Sequence, residues 1–201
     1  MIRQALILAT ALSLSACISF GADPPDSLLN LTATAQVAPG RTNTAASAQT
    51  VTVLVPTVPQ TIATQRVPVS TVDGTVAYVK DAQWVEAPNR LFQRLLSETI
   101  EAQTGRTVLT PRQFDFDPGT RLSGELQRFG IDAATGDAVV TYDAVISVAQ
   151  GSGENSVRTR RFEARVPVAP VEALPVGAAL NQAANRVAAE VASWIDEQSR
   201  G

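Results

Sequence analysis

The sequence predicts a single α+β domain, in which an antiparallel or mixed sheet carries two amphipathic helices packed on one face. Three observations predict it. Leu91, Phe92, Leu95, Leu96 and Ile100 recur at helical spacing and form one apolar stripe. Val176, Leu180, Ala184, Val187, Val191, Trp194 and Ile195 form a second. Between the two lie runs of strand character. The plainest is 138–148, where Ala138, Val140, Tyr142, Ala144, Ile146 and Val148 alternate with Val139, Thr141, Asp143, Val145 and Ser147. Helices separated by a run of strands point to α+β architecture, with both helices covering one side of the sheet.

Taken in order, residues 28–34 read as a first strand. Residues 35–50, rich in Ala, Thr and Ser and holding Pro39-Gly40, read as a loop with little to bury. The β-branched run 51–55 reads as a buried strand closed by Pro56. Residues 67–72 and 75–79 flank Asp73-Gly74 and predict a hairpin, because this pair tolerates the positive φ of a tight turn. Pro88 suits the first turn of the helix that follows, where its missing N–H costs nothing, and Gly105 suits its end. Residues 106–109 read as a short strand. Runs at 122–129, 138–148 and 157–168 then make an antiparallel meander, turned by Gly136-Asp137 and by Gly151 to Gly153. The second helix starts after Pro175 and closes the domain.

The N-terminus has a different character. Arg3 is the only charged residue before Cys17, and an apolar run over 5–14 follows it. This is the pattern of a secretory signal. The run is too short to cross a bilayer, which takes about 20 residues. Leu14-Ser15-Ala16-Cys17 resembles a lipobox, the processing motif of bacterial lipoproteins. The resemblance implies a diacylglyceryl thioether on Cys17, cleavage between Ala16 and Cys17, and acylation of the new amine. Cys17 is the only cysteine, so no internal disulfide is open to it. Residues 1–16 are then a signal, 17–26 a lipidated N-terminus and linker, and 27–201 the domain. One acyl chain anchors only marginally, at about 0.8 kcal/mol per buried methylene, whereas three hold firmly. In sorted lipoproteins an Asp after the cysteine favours the inner membrane; Ile18 stands there instead, which points to the outer membrane, facing the periplasm.

Composition narrows the chemistry. The chain has no histidine, which excludes Ser-His-Asp and Cys-His sites and the commonest general base. Zinc ligands are too few, and no Gly-rich phosphate loop is present, so neither metal nor cofactor is expected. A net charge of −3 offers no basic field for nucleic acid. Three groups invite a functional reading. Asp115 and Asp117 could pair for calcium or catalysis, but the ligand series of a calcium loop is missing, and Asp117-Pro118-Gly119 reads as a turn. Arg158, Arg160, Arg161 and Arg165 could meet phospholipid head groups or an acidic partner, though such arginines more often decorate a solvated strand face. Trp84 and Trp194 could stack on a ligand, but read first as core.

The order of features resembles a family. A lipobox precedes Leu28-Leu29-Asn30-Leu31, then Val51-Thr52-Val53-Leu54-Val55-Pro56, then Val76-Ala77-Tyr78-Val79 and Asp81-Ala82-Gln83-Trp84-Val85-Glu86-Ala87-Pro88. The helix, the meander and an alanine-rich C-terminal helix complete it. This is similar to the auxiliary lipoproteins of ABC-type transporters, the family that includes the lipoprotein of the paraquat-inducible Pqi system. The resemblance implies a non-enzymatic accessory that docks an MCE-domain substrate-binding protein beside an ABC permease and ATPase. Such systems move phospholipids or other hydrophobic molecules between membranes. The long Ala/Thr/Ser stretch at 35–50 departs from the family pattern. The alternatives are a structural or assembly lipoprotein of the envelope, with no transporter partner, and a hydrolase working with carboxylates alone.

Overall fold

The structure, a computed structural model, describes residues 25–42, 49–109, 119–149 and 155–198. Seven strands form one mixed sheet: β1 (Thr50–Val53), β2 (Arg66–Ser70), β3 (Val76–Gln83), β4 (Thr107–Leu109), β5 (Thr120–Asp132), β6 (Asp137–Ala149) and β7 (Asn155–Pro167). Helix α1 (Pro88–Thr104) lies between β3 and β4, and α2 (Ala173–Gln198) follows β7. The signal, Cys17 and the linker up to residue 24, Asp115 and Asp117, and the turn at 151–153 lie outside the described residues.

β5 is the axis of the sheet. Along one side it pairs antiparallel with β6 from end to end, and β6 pairs likewise with β7, which is the expected meander. Two short strands share its other side, both parallel to it. β1 lies against its start, with Val51 opposite Thr120, and β2 against its end, with Ser70 opposite Asp132. Thr57 bridges Glu125 between them. β4 flanks β1 in parallel and β3 flanks β2 antiparallel. The β2–β3 hairpin turns at Asp73-Gly74 as expected, Gly74 holding φ at 81°. The Thr71 hydroxyl donates to the Asp73 carboxylate and the Thr75 N–H donates to the same oxygen, which locks the turn.

Both helices sit on one face. Phe92 of α1 meets the ring of Tyr142 edge-on at 5.3 Å, and Trp194 of α2 lies 5.5 Å from Phe162. Tyr142 and Phe162 are register partners and so point the same way. The alternating set of β6 is buried as its period requires, from Ala138 to Ile146. Every residue of the two predicted helical stripes is buried, Pro88 opens α1, and Gly105 ends it. Trp84 is also core, 5.3 Å from Phe129.

Residues 28–34 depart from the expectation of a first strand. Leu29 makes a single parallel bridge to Trp84, and the chain then continues as a strap along the helices. The Thr32 and Thr34 N–H groups donate to the side-chain oxygens of Asn181 (2.9 Å) and Asn185 (2.7 Å), and Asn185 Nδ2 donates back to the Thr32 carbonyl (2.9 Å). The Val37 N–H donates to Glu98 of α1 at 2.7 Å. Backbone polar groups need partners, and here amide and carboxylate side chains supply them in place of a neighbouring strand.

Candidate functional site

With the helices on one face, no strand or helix packs on the other face of the β5–β6–β7 meander among the described residues, and β7 pairs with β6 alone, the Arg186 guanidinium of α2 donating to its Arg165 carbonyl at 3.2 Å. That face is a lattice of charge. Arg161 donates from Nε and Nη2 to the two oxygens of Asp143, each at 2.6 Å, and the two residues are opposite in register. Arg165 donates to Glu163 at 2.8 Å and to Asp132 at 3.2 Å. Arg128 reaches the same Asp132 oxygen at 3.1 Å, and the Thr141 hydroxyl donates to Glu163 at 2.8 Å.

These contacts fix the ionisation of the acids. The Arg161 guanidinium holds the Asp143 carboxyl below the usual carboxylate range, against the opposing effect of partial burial. Hydrogen bonds from Thr141 first, then from Arg165, do the same for Glu163. Arg128 does it for Asp132. Burial pushes the Tyr142 hydroxyl upward; on the helix side, it donates to the Ser123 carbonyl at 2.9 Å.

The four arginines singled out in the sequence do not form one site. Arg161 and Arg165 belong to the charged lattice. Arg158 and Arg160 are opposite Ile146 and Ala144 in register and so project to the helix side, where the Arg160 guanidinium lies 5.0 Å from the Phe162 ring. The two tryptophans are core pieces rather than stacking platforms. Among the described residues, no group of three or more His, Cys, Asp and Glu side chains could hold a metal ion, and no helix is long and apolar enough to cross a membrane.

Sequence reasoning missed a groove of about 510 Å³ where the strap passes over the helices. Thr34, Thr99, Gln103, Asn181, Asn185 and Arg186 contribute to its lining. The only sequence signal for it was Asn181 and Asn185, four residues apart beside the apolar stripe of α2, a spacing that places both on one side of a helix.

A two-helix α+β domain with an open, charged sheet face is thus the structural class. The chain belongs to the family of ABC-type transport auxiliary lipoprotein components, whose model matches residues 30–192. Two solved structures share the fold. A Xanthomonas campestris protein of the DUF330 family is 19% identical, with a TM-score of 0.67, over 87% of this chain and 98% of its own. A second crystal structure is 16% identical, with a TM-score of 0.62, over 73% of this chain and 92% of its own. No curated protein matches the sequence.

Proposed function

We propose that the chain is the lipid-tethered accessory of an ABC/MCE-type lipid transport system. It is anchored through Cys17 after cleavage behind Ala16, stands on the periplasmic face of the outer membrane, and docks the MCE substrate-binding protein. It performs no catalysis of its own; the permease and ATPase supply the work. Membership of the auxiliary lipoprotein family across the domain carries the reading. The lipobox at residues 14–17 and Ile18 support the anchor and the choice of membrane. The open face of the meander and the outer edge of β7, which pairs with no further strand among the described residues, support a docking role, since such an edge can accept a partner strand.

The test is a pull-down of the membrane-extracted protein beside a Cys17→Ala control, read by mass spectrometry. The expected result is co-recovery of an MCE-domain protein with a permease and an ATPase. Recovery of envelope assembly factors alone, or of nothing above the control, would replace this reading with that of a structural lipoprotein.

A further inference from the structure

The end of the sheet where β2, β5 and β7 finish gathers several exposed apolar side chains. Three segments meet there. The β2–β3 turn extends just past the pairing of Ser70 with Asp132. The link from β7 to α2 passes the β5–β6 turn, where the Val168 N–H donates to the Gly136 carbonyl at 3.2 Å. The first turn of α2 completes the set. Each presents a large apolar side chain to solvent: Val72 is 86% exposed, Leu174 68% and Val171 46%, with Val76 also exposed. Neither 70–76 nor 168–176 contains a Lys or Arg, and Asp73 and Glu172 are the charges in them.

The N-terminal chain approaches from this same end. Leu29 runs parallel to the end of β3 and packs against Gly177, near the start of α2, and the strap then follows α2 away from the sheet end. Followed backwards, it leads from Leu28, itself exposed, through Asp26 to Pro25. Cys17 is eight residues before Pro25, a reach of at most about 26 Å at roughly 3.3 Å per residue. An acylated Cys17 therefore keeps a lipid surface within a short tether of these exposed side chains.

We infer that this apolar end rests on the phospholipid surface, with Val72, Val171 and Leu174 entering the interface and the β6–β7 hairpin end pointing away. The inference builds on the proposed acylation of Cys17. Acidic neighbours and the lack of Lys and Arg fit a zwitterionic surface rather than an anionic one, because anionic lipid attracts basic segments. Contact of this kind orients the domain, which a lipid anchor on Cys17 alone does not do.

Single cysteines at these positions carry a polarity-sensitive dye, since an acylated Cys17 has no free thiol. Val72→Cys, Val171→Cys and Leu174→Cys are made in the full-length lipoprotein, with Val157→Cys, exposed at the start of β7, as the distal control. Each is reconstituted into phosphatidylcholine vesicles whose acyl chains are brominated near the head group. The mass of Cys17 is read from the same sample. The expected result is an acylated Cys17, with blue-shifted emission and several-fold stronger bromine quenching at 72, 171 and 174 than at 157. Acylated Cys17 with quenching no greater at the three positions than at 157 overturns this inference alone. Unacylated Cys17 overturns the anchoring reading and this inference with it.

Discussion

Gly130 of β5 lies beside Pro68 of β2, and a Cβ built on it would lie 2.3 Å from the Pro68 carbonyl oxygen. Backbone, not a flexible side chain, is the obstacle. Gly130→Ala is expected to push β2 away from β5 and cost about 1–3 kcal/mol, as overpacking does. It is read as a lower denaturant midpoint at unchanged slope; an unaltered midpoint would mean that β2 yields freely. The acids of the open face make a second residue-scale prediction. Their folded values lie below the ordinary carboxylate value of about 4. Their contribution is therefore complete above that ordinary value and drains away as pH falls through the lower folded values. Arg161→Gln releases Asp143 from its partner, so part of the acid-sensitive stability disappears already at neutral pH. Thermal midpoints of the wild type and variant should converge as the pH drops; a constant gap between them would remove Arg161 from the account.

At the scale of elements, the strap rests on very few groups. Asn185 accepts from Thr34 and donates to Thr32, while Asn181 accepts from Thr32. Changing both asparagines to alanine removes the three hydrogen bonds that they make to the strap, each contributing about 1 kcal/mol net. Amide exchange at Thr32 and Thr34 should then accelerate sharply, with β5 and β6 as protected as before. Equal protection of the strap in wild type and variant would assign its fixation to Leu29 instead. The strap also marks the limit of what the sequence discloses. The meander, the hairpin and both helices were legible because period and turn chemistry are local. Residues 28–34 have strand composition, yet the groups that engage Thr32 and Thr34 lie 149 and 151 residues away. The sharing of one side of β5 by β1 and β2 is hidden for the same reason, since parallel pairing leaves no local turn to read.

For the whole molecule, placing both helices on one face makes a domain with one sealed side and one charged, open side. Part of the candidate surface was legible in the sequence. Arg158 and Arg160 share one parity and Arg161 and Arg165 the other, so a strand must divide them between its two faces. Which pair finds carboxylates depends on the register of Asp143 and Glu163 against β7, and register lies in the fold. Trp84 and Trp194 were legible as core because each borders an apolar helical or strand pattern. The strap also bears load. A tug on the N-terminus first loads Leu29, whose N–H donates to the Gln83 carbonyl at the end of β3, and then the bonds of Thr32, Thr34 and Val37 to the two helices. The load is thus shared between the edge of the sheet at Gln83 and the helices at Asn181, Asn185 and Glu98, so the strap works as a clamp across both layers.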